Sequence, residues 1–321
     1  MISTKLLTVE DYENFKEVYD DFYSKAKSEY NFELDPIDYE GFLDSVEKEI
    51  IDCIVVYDNH KLSGFLVYTT AISEAIELNV IHCCDKVNYI SHTNALLTKF
   101  LELTQEMRKY KIVCYPMLGT QNNLISTIIK HGFQFIGIEV LRFKFTGTES
   151  KDLFSRARVA QLPAGYTVTK WDKRYFEDAV NVIQEAFKNS SDALFDPRFR
   201  TLDGCRDILT KVVNDVYAEF LKDATSVLLF NDTPVGFSFM NITNRTIVNI
   251  PLVGLKQEHQ GKGLSTIMLK HSMDEIFNNN LLSGVTEINT TTETNNLQAL
   301  RLYKNLGFIE DYSYPQAYLP I

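Results

Sequence analysis

The chain has 321 residues, 45% of them hydrophobic and 23% charged, with a formal net charge of −11. That length holds two domains of ordinary size, each with its own core, and the composition is that of a globular protein. The acidic balance argues against nucleic acid, which needs a basic face, and at long range favours cationic ligands such as amines.

Met1-Ile2-Ser3-Thr4-Lys5 leads into acidic and aromatic residues rather than a signal-peptide core. No apolar run reaches the roughly 18 residues of a membrane helix, so a cytoplasmic protein off the membrane is expected. A helix-like stretch, Val9 to Ala26, opens the chain. Val55-Val56-Tyr57-Asp58-Asn59-His60-Lys61-Leu62-Ser63-Gly64-Phe65 reads as strand, turn, strand. Of the five cysteines, Cys53 and Cys114 sit in apolar runs as small core residues. His82-Cys83-Cys84-Asp85 lacks a second ligand pair at finger spacing, so strand packing is expected there and no metal. Val87-Asn88-Tyr89-Ile90-Ser91 precedes a helix, Asn94 to Arg108, and His131-Gly132-Phe133 follows further on.

Thr146-Gly147-Thr148-Glu149-Ser150-Lys151 is polar, and Leu162-Pro163-Ala164-Gly165 restarts a strand at Tyr166-Thr167-Val168. A second helix-like stretch runs from Tyr175 to Phe187. The loop-like Asp192-Ala193-Leu194-Phe195-Asp196-Pro197-Arg198-Phe199 mixes aromatics with charges, as binding loops do. Val227 to Phe237 repeats the strand–turn–strand pattern of the first half. Gly64 and Gly236 stand 172 positions apart (236 minus 64), and Gly132 and Gly307 stand 175 apart (307 minus 132). Two echoes at nearly one offset indicate a duplicated domain. We therefore expect domains at 1–147 and 162–321 joined by a linker at 148–161.

Gln260-Gly261-Lys262-Gly263-Leu264-Ser265 is the most informative segment. It follows an apolar strand, Ile247 to Leu255, and opens a helical pattern that stops at Asn278-Asn279-Asn280. A glycine turn there sets several backbone N–H groups at a positively polarised helix end, an anion cradle. Neither the P-loop nor the dinucleotide spacing is present, because Lys262 separates the two glycines and a third glycine is missing. Glu287-Ile288-Asn289-Thr290-Thr291-Thr292 then reads as a strand. Asn296 to Leu306 reads as a helix ended by Gly307 and entering a strand at Phe308.

With these elements in order, the chain resembles the GNAT superfamily of acyl-CoA-dependent N-acetyltransferases. Gln260, Gly263 and Ser265 match its Gln/Arg-x-x-Gly-x-Gly/Ala motif, with Ser in the last small position. Asn296, Ala299, Leu302, Tyr303, Gly307 and Phe308 match its Asn-x-x-Ala-x-x-Leu-Tyr…Gly-Phe motif. The resemblance implies an α/β (α+β) fold of two tandem GNAT-like domains, each a mixed, mostly antiparallel twisted sheet flanked by helices. The first half lacks both the glycine turn and the phenol, since Ile128 stands where Tyr303 does, and is expected to do no chemistry.

The resemblance further implies acetyl-CoA as cofactor and transfer of its acetyl group to a primary amine of a small molecule or an amino terminus. The N–H groups of Gly261, Lys262, Gly263, Leu264, Ser265 and Thr266, with Gln260, would take the pyrophosphate. Val253 or Leu255 would offer an N–H to the developing oxyanion, a role worth roughly 3 kcal/mol per well-aimed donor. Gly254 would allow the cofactor close to the backbone. Tyr303 is the candidate general acid, against the reading that its ring only packs. Asn296 would touch the cofactor, cap its helix, or both. No general base is assigned: Glu258, Glu287 and Glu293 are expected on solvated faces, and His259 on the surface. Tyr312, Tyr314 and Tyr318 would line the acceptor pocket or complete a sheet, and Trp171 would pack between elements. A homodimer is left open. A non-catalytic acyl-CoA-binding regulatory or scaffold protein is the alternative, while aminoacyl transfer from tRNA conflicts with the acidic balance.

Overall fold

The runs Asp52–Asp58 (β2) and Lys61–Thr69 (β3) are almost continuously buried and pair antiparallel across a two-residue turn. Asn59 and His60 adopt left-handed φ values of 48° and 68° there, and Asn231 and Asp232 repeat this with 47° and 63°. Both turns have the twist that strand hairpins favour. The computed structural model describes residues 1–30, 32, 35–71, 75–117, 122–145, 161–278 and 284–320.

The chain divides into two units, Met1–Gly137 with Tyr314–Ile321, and Ile138–Ser313. The sequence places the boundary near 147 and leaves the C-terminal strand in the second half. The difference is an exchange: each half gives part of its last strand to the other unit. The expected linker, 148–161, lies outside the described residues except for Gln161.

In the first unit, β1 (Ile2–Leu6), β2, β3, β4 (Ala75–Cys83), β5 (Ile112–Pro116) and the end of β13 (Ile309–Leu319) lie in that order. Only the β4–β5 pair is parallel. Helices α1 (Tyr12–Ser28) and α2 (Tyr39–Glu47) enclose one core with β2 and β3, around Phe15, Tyr19, Phe22, Phe42 and Phe65. Helices α3 (Tyr89–Leu103) and α4 (Asn122–Lys130) enclose another around Leu96, Phe100, Tyr115 and Ile128. Helix α3 begins five residues before the expected Asn94.

The second unit orders β6 (Gln134–Lys144, from Ile138), β12 (Glu287–Glu293), β11 (Ile247–Leu255), β10 (Thr233–Thr243), β9 (Ser226–Phe230) and β7 (Tyr166–Lys170), with β8 (Glu219–Phe220) also on β10. Again one pair, β11–β12, is parallel. Helices α5 (Phe176–Phe187) and α7 (Leu202–Val213) cover one face, with the short α6 (Asp192–Phe195) between them in sequence; Trp171 packs there against Phe237 and Phe239. Helices α8 (Leu264–Asn278) and α9 (Leu297–Asn305) bring Met268, Met273, Leu300 and Tyr303 into the cores of the other.

The echoing glycines have a steric cause. A Cβ on Gly64 would stand 2.5 Å from the carbonyl oxygen of His82, and one on Gly236 would stand 3.2 Å from that of Gly254. Equivalent strands approach at the same place in both units.

Candidate active site

Strands β11 and β12 pair only from Ile247↔Glu287 to Asn249↔Asn289. Beyond that point β12 stays with β6 as far as Glu293, and β11 stays with β10 as far as Leu255. The sheet therefore opens between them. Ile250 and Pro251 together face one residue of β10, a bulge between the pairs Asn249↔Asn241 and Leu252↔Phe239. Pro251 has no N–H to donate, which suits a bulge.

The bulge shifts the alternation of the strand by one residue. Before it, the Ile250 carbonyl faces β12 and accepts from Thr290 Oγ1 at 3.2 Å. After it, the Lys256 N–H reaches the Val235 carbonyl on the β10 side at 2.9 Å. Alternation then leaves the N–H groups of Val253 and Leu255 facing the gap.

The gap leads to the glycine turn. Gly261 and Gly263 both adopt φ +74°, and nothing lies within 4 Å of where a Gly261 Cβ would point. The N–H groups of Gly261, Lys262 and Gly263 donate to no backbone carbonyl among the described residues. With the first N–H groups of α8, where Leu264 is buried and Ser265 and Thr266 are half-buried, they form a donor array at a positive helix end. Gln260 Nε2 donates to the Leu255 carbonyl at 3.0 Å and ties the turn to the strand. Lys262 Nζ donates to the Glu258 carbonyl at 3.0 Å.

His259 is a correction: only 6% exposed, it bonds the Tyr166 hydroxyl at 2.7 Å and packs beside Phe230 as a support under the turn. Gly254 is a second correction. A Cβ there would meet Ile183 Cδ1 at 2.9 Å and Ala186 Cβ at 3.4 Å, so its absence lets helix α5 approach the strand.

Tyr303 is 6% exposed, with its hydroxyl 3.5 Å from Thr290 Oγ1. Burial, and less strongly the charge of Asp192, raise its phenol above the ordinary value, against the Thr290 contact. It stays protonated at neutral pH. Asp192 lies at the start of α6. Its carboxylate keeps solvent access, yet the surrounding protein pushes it up against a hydrogen bond from Ser190 Oγ at 3.1 Å. Glu293, at the end of β12, is raised by burial and by the charge of Asp192, while accepting the Ser191 N–H. Neither carboxylate has a cationic partner among the described residues.

Glu293 is thus not on a solvated face, and Glu287 pairs with Arg142 at 2.7 Å, while Glu258 does face solvent. Asn296 Oδ1 accepts the Ala299 N–H at 3.1 Å and caps α9. Tyr314 and Tyr318 belong to the first unit, where Tyr318 pairs with Cys114 and completes the sheet. Thr290 and Pro251 carried no motif and were not singled out from the sequence.

The first unit repeats this geometry and closes it. Strands β4 and β5 pair from Ala75↔Ile112 to Glu77↔Cys114 and then part, with a bulge at Asn79 where the second unit has Pro251. Register places Ile81 at the Val253 position and Tyr115 at the Thr290 position. The buried Tyr115 hydroxyl accepts the Ile81 N–H. Five residues, 84–88, connect β4 to α3, where eight, 256–263, connect β11 to α8. The glycine turn is missing and the gap is filled by a tyrosine.

Residues 196–308 match the acetyltransferase (GNAT) family model. Among solved structures, the chain is similar to a GCN5-related N-acetyltransferase from Sphaerobacter thermophilus, with 13% identity, TM-score 0.64, and 99% of this chain and 95% of that one covered. It is similar to a tandem GNAT protein from the clavulanic acid biosynthesis pathway, with 13% identity, TM-score 0.58 and coverages of 99% and 98%. It is also similar to a glucosamine N-acetyltransferase region of a fungal multi-domain β-N-acetylglucosaminidase, with 12% identity, TM-score 0.62 and coverages of 99% and 38%. No curated protein sequence matches the chain. The chain has the tandem GNAT fold, and the stretch that matches the acetyltransferase family model lies in its second half. Among the described residues no helix is long and apolar enough to cross a membrane.

Proposed function

We propose that the protein is an acetyl-CoA-dependent N-acetyltransferase whose single active site lies in the second unit. The carrying observation is the gap between β11 and β12, lined by outward N–H groups of Val253 and Leu255 and ending at the glycine turn. The pantetheine arm of the donor is an amide chain that can pair with such a strand edge, and its pyrophosphate suits the free N–H groups of Gly261 to Thr266. Acetyl-CoA supplies the acyl group as a thioester; the residues of this chain position it and move protons.

The N–H of Val253 or Leu255 stabilises negative charge developing on the thioester oxygen. Asp192 and Glu293 accept the proton of the incoming amine, each raised toward neutrality and so better matched to that task than an ordinary carboxylate. The amine nitrogen forms its bond to the acyl carbon as the carbon–sulfur bond breaks. Tyr303 protonates the departing thiolate. The Thr290 hydroxyl, 3.2 Å from the Ile250 carbonyl and 3.5 Å from the Tyr303 oxygen, donates to either and leaves the Tyr303 proton free for the thiolate.

The test is thiol release from acetyl-CoA across a panel of primary amines. Turnover with at least one amine, and none with the matching alcohols, is expected. Cofactor binding without turnover on any amine would instead favour a regulatory acyl-CoA-binding protein.

A further inference from the structure

Helix α1 and the end of β4 bring together three metal-ligating side chains in the first unit. Asp21 Oδ2 lies 2.9 Å from His82 Nε2, and Cys84 Sγ lies 3.8 Å from the same nitrogen. All three ligand atoms are within 4.8 Å of one another. A tetrahedral ion with bonds of about 2.0–2.3 Å has ligands about 3.3–3.8 Å apart, so little movement would seat one. His82 is fully buried and forms the floor, while Asp21 and Cys84 keep partial access to solvent.

Two further observations set this group apart from ordinary packing. The Tyr30 hydroxyl bonds His82 Nδ1 at 2.9 Å, which fixes the ring from behind as outer partners of metal-bound histidines do. Register places His82 at the position of Gly254, where the second unit has no side chain at all. The fold does not require a polar group there.

We propose that Asp21, His82 and Cys84 form a site for a borderline divalent cation of the zinc class, with a fourth position open to water. Asp, His and Cys together suit such an ion better than calcium or magnesium, which prefer oxygen alone. The positive charge is now supplied by Lys25, whose Nζ lies 2.7 Å from Asp21 Oδ2; a bound cation takes its place. Binding forms a metal–sulfur bond and releases the Cys84 thiol proton to solvent, and affinity therefore rises with pH.

The test uses the full chain, freed of metal with a chelator, exchanged, and titrated with Co²⁺ and then Zn²⁺. One equivalent of Co²⁺ should bind with a near-ultraviolet thiolate-to-metal band that Zn²⁺ removes. Cys84→Ser, at a partly exposed position, should lose the band while keeping its far-ultraviolet circular dichroism. Tyr30→Phe should weaken binding about tenfold, and Lys25→Gln should tighten it. Absence of saturable one-equivalent binding, or the same spectrum in Cys84→Ser, would overturn the site and leave the cluster as a hydrogen-bonded brace.

Discussion

In the proposed reaction, Tyr303 and its neighbours carry the chemistry at the scale of single residues. A phenol raised above its ordinary value by burial remains a proton donor across the neutral range. Tyr303→Phe is therefore predicted to lower kcat about 100-fold with the Kd for acetyl-CoA within about twofold; unchanged turnover would remove Tyr303 from the reaction. As the proposed bases, Asp192 and Glu293 would work in the opposite protonation state. A carboxylate acting as base is effective above its pKa, so kcat/KM should fall as pH drops through a value raised above the ordinary carboxylate range. Asp192→Asn removes the charge that helps to raise Glu293. Its acid limb should move to lower pH, and a pH–rate profile with an unmoved limb would speak against the pair. Of these groups, Tyr303 was legible because its motif is local. Glu293 was not, since its partner Ser191 lies 102 positions away (293 minus 191).

Elements show why some positions were misread. The alternation of β11 could be read directly, but its divergence from β12 is a matter of register between segments about 40 residues apart, which no local pattern encodes. Gly254 illustrates this. Its composition fits close approach of a ligand, and the structure gives the approach to helix α5 instead. Gly254→Ala should therefore cost about 1 kcal/mol of stability, because the neighbour is the tip of Ile183, and leave cofactor affinity nearly unchanged. Gly64→Ala meets the backbone oxygen of His82 and should cost about 3 kcal/mol. Denaturant unfolding of both variants checks the ranking; equal losses would contradict it. The start of α3 was placed late: Asn88 stands at its N-cap, though its side chain makes no cap bond.

Duplication explains the whole molecule. The repeated glycines and Gly-Phe pairs were enough to expect two similar halves, and both units do build a sheet that parts after one parallel pair, with a bulge at the same place. The exchange of terminal strand segments was not legible, because both partners of each pairing are ordinary strand sequences. Nor could the sequence show how the first unit closes the corresponding gap. At the parting of the strands the first unit has Tyr115 where the second has Thr290, and its connection is three residues shorter, so the N–H of Ile81 meets a side chain. The halves are thus predicted to be unequal: one open cleft and one closed from within. Calorimetric titration of the intact chain with acetyl-CoA tests this most directly. One site per chain is predicted, abolished by Gly263→Glu, which places bulk and negative charge in the donor array. Two sites, or binding that survives Gly263→Glu, would contradict it.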